Sequence, residues 1–451
     1  MNTDDQAQWT IGAYGNSEVI TPNMDRLAHE GMRFTQAFSK PVCSPSRAML
    51  LTGQYSHRLG IPDYIPYGNP LYAENGLPVG TPTIASVLKG GGYTTALIGK
   101  WHVGYGEKYF PEHFGFDVAE CYEYVPPGKK YAGYHQVPEV VDGQLVFGLL
   151  KNKRLTDILA DRAIHFVREN RGKPFFLYLA IYEPHQTVWD AVPDEDLAHY
   201  NKRPLTVPDI SPFSDAQIDQ TTLRKLMATY YGAVTCADRN LGRLLAVLDE
   251  LKLSDNTLIV FMSDNGMNLG HHGLIGKGNA AFLGTNRRRP NIFDHSNVVP
   301  LIVRWPGVVR PGQTNNALVS SLDILPTLMA ITGAGAGQKM QLDGRSLLPL
   351  FKGERDTNWR NFYCDTYDMI YLGNHGEKPY MRMIRTDQWK LNLFLDAAGQ
   401  PLDNGNRHEL FDLKSDREEL TNLYGRPAVA TIKQQLETQL RAWMRETGVT
   451  K

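Results

Sequence analysis

Cysteine is scarce in this chain: of 451 residues, only Cys43, Cys121, Cys236 and Cys364 are cysteines. None makes a C-x-x-C pair, which removes the usual spacing of a zinc or redox site. An excess of charge is also missing, since 47 Lys+Arg stand against 48 Asp+Glu. That balance leaves no footprint for nucleic acid or for a strongly anionic membrane, although a basic pocket can still form locally. No apolar run reaches the roughly 18 residues needed to cross a bilayer. The longest, Phe175 to Ile181, has the length of a buried strand. Internal repeats and low-complexity tracts are absent, and the N-terminus carries no signal-peptide pattern. What remains is an ordered, globular composition with 42% hydrophobic residues, long enough for one large α/β domain and a smaller one.

Helix-like and strand-like patterns alternate along the first three quarters of the chain. Thr21-Pro22 opens a helix through Met24, Leu27 and Ala28 that ends at Gly31. Thr81-Pro82 opens another, stopped by Gly90-Gly91-Gly92, and Tyr93 to Ile98 follows as a strand. Residues 156–170 and 222–252 carry helical periodicity, and 323–331 does so again. Residues 175–181, 257–262 and 299–304 read as strands buried on both faces. Such strands between helices predict a large, mostly parallel sheet sandwiched by helices. Beyond about residue 355 the texture changes. Residues 380–386 and 389–394 alternate like antiparallel strands, and a helix spans about 428–446. The expected division is therefore a catalytic α/β domain over 1–355 and a C-terminal α+β subdomain over 356–451.

Polar clusters fall where such strands end, which is where open α/β sheets bind ligands. Gly99-Lys100-Trp101-His102-Val103-Gly104, Glu183-Pro184-His185 and Ser263-Asp264-Asn265-Gly266 each follow a predicted strand, and Asp4-Asp5-Gln6 stands at the start of the chain. Asp4, Asp5, Asp264 and Asn265 are hard oxygen donors of the kind Ca²⁺ takes, with Mg²⁺ as the smaller competitor. A further stretch is Cys43-Ser44-Pro45-Ser46-Arg47, followed by Ala48 to Thr52 and Gly53. Pro45 suits the first turn of a helix and Gly53 its C-cap, so position 43 sits near a helix N-terminus that favours negative charge. An alkoxide, a thiolate or a bound sulfate fits there equally. A plain buried cysteine and a low-pKa thiolate nucleophile also satisfy this stretch taken alone.

The string C-x-P-S-R with T-G five residues later resembles the signature of the type I, formylglycine-dependent sulfatases of the alkaline phosphatase superfamily. Gly99 to Gly104 resembles a second motif of that family and Pro184-His185 a third. Gly270-His271-His272-Gly273-Leu274-Ile275-Gly276-Lys277 resembles a fourth, with Ile275 where tryptophan is usual. Glu409-Leu410-Phe411-Asp412-Leu413 through Asn422 resembles the closing pattern, with Arg417 replacing a proline. The resemblance runs from Asp4 to about Asn422. It implies an alkaline-phosphatase-like fold and a sulfuric ester hydrolase whose Cys43 is oxidised to Cα-formylglycine by a formylglycine-generating enzyme. It also implies one divalent cation, usually calcium, held by Asp4, Asp5, Asp264, Asn265 and position 43. The implied roles are a hydrated formylglycine nucleophile, Arg47 to hold it, and Lys100 and Lys277 on the sulfate oxygens. His185 would be the proton donor to the leaving alcohol, and His102 the base that restores the aldehyde.

In the family a hydrophobic strand precedes the Asp-Asp pair. Only Met1-Asn2-Thr3 do so here, so that strand is expected to be truncated, and a periplasmic or secreted location follows only if a signal upstream was removed. The expected substrate is a sulfated carbohydrate or smaller sulfated molecule. The aromatic and polar segments 105–147, 189–190, 286–295 and 367–375 are candidates to meet it, with Arg287-Arg288-Arg289 for a second anionic group or as a solvated face. Arylsulfatase- or choline-sulfatase-type specificity, a phosphonate monoester or phosphodiester hydrolase with the same nucleophile motif, and an inactive sulfated-glycan-binding relative are the competing readings.

Overall fold

The computed structural model describes residues 1–66, 72, 74–121, 139–141, 144–146, 155–186, 189, 192–354, 357–371 and 379–449. Its centre is an eight-stranded sheet. The strands are β1 (Asn2–Thr3), β2 (Met32–Phe38), β3 (Thr94–Gly99), β4 (Val118–Glu120), β5 (Phe175–Ala180), β6 (Ile259–Ser263), β7 (Val298–Arg304) and β8 (Gln313–Ser320). They lie in the order β8-β2-β7-β6-β1-β5-β3-β4. β7 runs antiparallel to both β2 and β6. The other neighbours pair in parallel, so the mostly parallel sheet holds with one reversed strand inside it. Short β1 is central: Asn2 pairs with Ala180 on one side and Met262 on the other, and Thr3 pairs with Ser263.

Helices cover both faces, as strands with two apolar sides require. On one face lie α1 (Pro22–Glu30), α4 (Leu155–Asn170) and α5 (Gln220–Glu250), which bury Leu27, Leu159, Phe166 and Leu241. On the other lie α2 (Cys43–Thr52), α3 (Ile84–Gly90) and α6 (Ile324–Thr332), which bury Leu51, Leu88 and Leu325. The helix expected to open at Thr81-Pro82 begins later. Thr83 is its N-cap, accepting from Ser86 N at 3.2 Å while Ser86 Oγ accepts from Thr83 N at 2.8 Å. A reciprocal capping box outcompetes a lone threonine, and Thr81, preceding a proline, is steered away from helix.

The C-terminal sheet is antiparallel, β9 (Phe362–Asp368), β10 (Tyr380–Thr386), β11 (Trp389–Leu395) and β12 (Glu409–Asp412) in sequence order. Its period of two splits the side chains. Tyr363, Tyr367, Met381 and Met383 face the large sheet with Phe38 and Val42. Ile384, Leu391 and Leu393 face Leu436, Leu440 and Trp443 of the closing helix α7 (Ala430–Thr447). No helix among the described residues is long and apolar enough to cross a membrane.

Candidate active site

Five strands deliver the polar groups. Asp4 directly follows β1, Lys100 follows β3, His185 comes shortly after β5, and Asp264 directly follows β6. β2 ends at Phe38, and five residues later α2 begins with Cys43 as its first residue. Val42, extended at φ −148°, contributes no side-chain cap to α2, so its first-turn amides stay available to an anion. Gly53 closes α2 in the left-handed conformation at φ 66°.

The backbone is bent to make this site. Asp5 sits at φ 63° and His102 at φ 57°, left-handed values that cost a non-glycine residue about 1–3 kcal/mol and gather at functional sites. Gly99, at φ 112°, can only be glycine: a Cβ there would lie 1.9 Å from the Ala180 carbonyl oxygen. Backbone bonds lock Asp4 and Asp5 to both neighbouring strands. Asp264 N donates to Thr3 O at 3.0 Å, Asp4 N to Glu183 O at 3.2 Å, and Asp5 N to Asp264 Oδ1 at 3.1 Å.

The sequence-predicted residues converge on the Cys43 sulfur. Lys277 Nζ is 2.8 Å from Sγ, Asp4 Oδ1 3.4 Å, Lys100 Nζ 3.6 Å and Asp5 Oδ1 4.0 Å. Lys100 Nζ also reaches Asp4 Oδ2 at 2.5 Å, and Lys277 Nζ pairs with Asp5 Oδ1. Arg47, fully buried, donates to Asp264 Oδ2 at 2.7 Å and to the Lys100 carbonyl at 3.1 Å. Asn291 Nδ2 holds the Lys277 carbonyl at 2.9 Å. Asp4, Asp5, Cys43 and His185 bring one ligand atom each within 4.8 Å of one another. His185 Nε2 lies 3.6 Å from Asp5 Oδ2. Asn265 Nδ2 donates to Asp5 Oδ1 at 2.7 Å. His102 stands slightly apart, with Nε2 3.1 Å from the Ile65 carbonyl oxygen.

Burial sets the protonation states. Burial and neighbouring Asp4 push the Cys43 thiol well up, outweighing Lys100 and Lys277, so the encoded side chain is a neutral thiol and a poor nucleophile. Burial also raises Asp4, but Lys100, His185, Arg47 and Lys277 overcome it and hold that carboxyl well below its usual range. Asp5 and Asp264 remain raised by burial, with Asp4 adding repulsion to each. For Lys277, burial is outweighed by the carboxylates, Asp5 most and then Asp4, and the ammonium is held charged. Burial, opposed by Asp4, lowers His185 to about 3.

Asp4 and Asp5, whose ligand atoms lie within 4.8 Å of each other with buried Asp264 bonded to the Asp5 amide beside them, offer the hard oxygen donors a divalent cation takes. One acceptor makes the fit specific: Asn265 Oδ1 is buried and accepts no hydrogen bond, a state that costs free energy until a ligand supplies a positive partner. Asp264 is more committed, its oxygens already serving Arg47 and the amides of Asp5 and Asn265.

In the wall beside His102, Tyr105 and Tyr371 belong to the expected segments 105–147 and 367–375, whereas sequence reasoning missed Asp63 and Tyr64. Asp63 is buried and accepts from Ile370 N at 2.8 Å and Tyr371 N at 3.1 Å. Tyr64 and Tyr371 meet edge-to-face at 6.4 Å, and Tyr105 OH donates to Ile65 O at 2.8 Å. Of the segments expected to meet substrate, 122–138, 142–143, 147, 190 and 372–375 lie outside the described residues.

The Sulfatase family model matches residues 2–334, and a second model, N-sulphoglucosamine sulphohydrolase, C-terminal, matches 287–446. The chain is 30% identical over 449 residues to steryl-sulfatase of Mus musculus, covering 81% of this chain and 66% of that relative, just under two thirds of its length. It is 27% identical over 515 residues to N-acetylglucosamine-6-O-sulfatase of Bacteroides thetaiotaomicron, covering 97% of this chain and 84% of that relative. A protein solved in complex with its substrate D-glucosamine-2-N,6-O-disulfate superimposes with a TM-score of 0.81 at 23% identity, over 100% of this chain and 98% of that one.

Proposed function

The chain belongs to the sulfatase family and is a sulfuric ester hydrolase, and from that premise we propose that it removes sulfate from a sulfated carbohydrate through a formylglycine made from Cys43. The observation that carries this reading is the set of groups around Sγ: two ammonium groups and two carboxylates, drawn from three separate chain segments, within 2.8–4.0 Å. The carbohydrate follows from coverage. The N-acetylglucosamine-6-O-sulfatase aligns over more of both chains than the steryl-sulfatase does, and the C-terminal region matches a sulphoglucosamine-sulphohydrolase model.

The chemistry follows from the charges. A sulfate ester needs its non-bridging oxygens neutralised and a proton for its leaving oxygen. Lys277 and Lys100, on either side of position 43, bind those oxygens. Arg47 holds Asp264 and the Lys100 carbonyl, and so fixes the spacing between β3, β6 and α2. His185, lowered to about 3 by burial, faces the leaving oxygen and becomes its proton donor once the negative charge of the bound sulfate ester offsets that burial. His102, held in its left-handed turn against the Ile65 carbonyl, takes the proton whose loss frees the sulfate. The hydrated aldehyde that maturation places at position 43 supplies the attacking oxygen, in the place Sγ marks. A cation held by Asp4, Asp5, Asp264 and Asn265, with calcium preferred over magnesium, supplies Lewis acidity for that oxygen and for the sulfate.

The test is turnover by protein co-expressed with a formylglycine-generating enzyme, on N-acetylglucosamine 6-sulfate, an aryl sulfate and a phosphodiester side by side. The expected order places the sulfated sugar first. Cys43→Ala is expected to lower kcat by about 10⁴-fold or more with the fold intact. Full activity in that variant would sink the mechanism, and higher kcat/KM on the phosphodiester would overturn the substrate.

A further inference from the structure

The arginine run 287–289 is not used by the chemistry above. In the fold it forms one side of a hairpin whose other side begins at Lys277. Ala281 bridges Arg288, Arg289 N donates to Ala280 O at 2.9 Å, and Asn291 N donates to Gly278 O at 2.9 Å. A turn closes Lys277 onto Ala280, with Ala280 N donating to Lys277 O at 2.8 Å. A turn brings its ends within about 7 Å, so the backbone opposite Arg288 lies only about 10 Å from that of Lys277.

The run lines a cavity of about 490 Å³ with Phe282, Phe394, Asn406 and Arg407. Three of its four arginines already have carboxylates: Arg287 pairs with Asp215, Arg289 with Glu409 at 3.0 Å and Arg407 with Asp403 at 2.9 Å. Arg288 has no carboxylate partner among the described residues, and its NH1 donates to the Asn279 carbonyl at 2.8 Å. That bond aims a whole guanidinium from the end of the Lys277 turn. Tyr64 packs against the cluster that includes Ile292, Tyr367 and Phe394, and Phe394 also lines the arginine cavity, so the ring adjoins the wall that leads to Arg288. Burial and Asp63 raise its phenol, while Arg288 and Lys277 both pull it back, in keeping with that position.

We infer that Arg288 and Tyr64 form a second recognition element, which takes an anionic group, sulfate or carboxylate, on the sugar unit next to the one being desulfated. The planar fork of arginine suits either anion, and the Tyr64 ring offers the sugar an apolar face on the way. The inference rests on the sulfated-glycan reading above, and it makes the substrate an oligosaccharide carrying at least two anionic groups.

The test is binding of the full chain to a polysulfated hexasaccharide, to its chemically desulfated counterpart that keeps the carboxylates, and to inorganic sulfate. Arg288→Ala is expected to weaken hexasaccharide binding by about ten-fold or more and to leave inorganic sulfate within about two-fold. Lys277→Ala should weaken both. Arg288→Lys should recover part of the loss, because charge returns without the fork. Arg288 is exposed, so the variant is expected to fold, and its melting temperature checks this. If the Arg288-dependent factor survives desulfation the group is a carboxylate, and if it vanishes a sulfate. Hexasaccharide affinity unchanged in Arg288→Ala, or no hexasaccharide binding by the wild type, would overturn the inference. Arg288-dependent binding without sulfatase turnover would overturn the function and leave the subsite. Turnover with binding indifferent to Arg288 would do the reverse.

Discussion

Two buried charge clusters in this molecule use the same residue types for different ends. At the strand ends, Asp4, Asp5 and Asp264 face Arg47, Lys100 and Lys277. At the seam with the C-terminal sheet, Asp294 and Glu419 face Lys390 and Arg385. The seam is closed. Lys390 Nζ reaches Asp294 Oδ1 and Glu419 Oε1 at 2.7 Å each, Arg385 Nε takes Asp294 Oδ2 at 3.3 Å, and Asp294 N donates to Glu419 Oε2 at 2.6 Å. The strand-end cluster is not. It holds a thiol, a histidine and an Asn265 oxygen that accepts no hydrogen bond inside the charge network, while each cluster keeps one residue in left-handed backbone, Asp5 at φ 63° and Glu419 at φ 54°. Buried ion pairs alone say little about function. What separates the clusters is leftover capacity, a thiol and an amide oxygen with more bonding to give.

Exchanging the lysines should break that comparison most visibly. Lys390→Ala leaves two carboxylates buried beside a single arginine, and is expected to cost about 3–5 kcal/mol of stability with kcat of the folded fraction unchanged. Lys277→Ala should do the opposite: kcat falls by about 10²–10³-fold, while in calcium-containing buffer the stability loss is smaller than for Lys390→Ala, since a cation can replace the missing charge. Denaturant melts and turnover of both variants decide it. Equal destabilisation, or a catalytic defect in folded Lys390→Ala, would erase the distinction.

The open cluster was legible in sequence because each member sits in a short local string. Cys43, Lys100, His185, Asp264 and Lys277 each carry neighbours, proline, glycine or a second polar residue, that the turn at a strand end demands. The closed seam had no such marker: Lys390 lies inside an alternating strand, Asp294 opens a short helical turn, and Glu419 lies in a loop far from it in sequence. Among the strands, β8 begins Gln-Thr-Asn-Asn because it is an edge strand with one side in water, so it lacked the apolar run that exposed β5 and β6. The Asp63 and Tyr64 part of the wall was invisible for a related reason. Its organising bonds run from one carboxylate to backbone amides about three hundred residues away, and backbone amides have no sequence.

Cation binding sharpens the contrast at an intermediate size. If Asn265 and the three aspartates form a calcium site, calcium at about 100 times its dissociation constant stabilises the folded chain by about 2.7 kcal/mol. A chelator reverses the rise in melting temperature, and magnesium gives a smaller one. Asp5→Asn should abolish the response, and Asp294→Asn should preserve it whatever that variant does to the baseline. A calcium response lost equally in both variants would mean that the two clusters do not differ in the way described.

The gentlest probe is pH, and it addresses the closed cluster. Burial, with Asp294 adding repulsion and Lys390 opposing, raises Glu419 to about 8 from an ordinary 4.5. A carboxyl raised on folding favours the native state while it is protonated, so this contribution is full below about 4.5 and is lost as pH rises through about 8. Asp294 moves the other way, since Lys390 and Arg385 overcome its burial and hold it low. Its contribution therefore changes only below its ordinary 3.8, outside the same window. Between pH 5 and 8 the wild type should thus lose stability with a Glu419-dependent slope of at most about 1.4 kcal/mol per pH unit. Glu419→Gln, which keeps the shape and cannot ionise, should flatten that slope when melts are compared across the window. An unchanged slope would mean that Lys390 neutralises Glu419 fully in the fold, and that the seam is a settled ion pair with no proton left to lose.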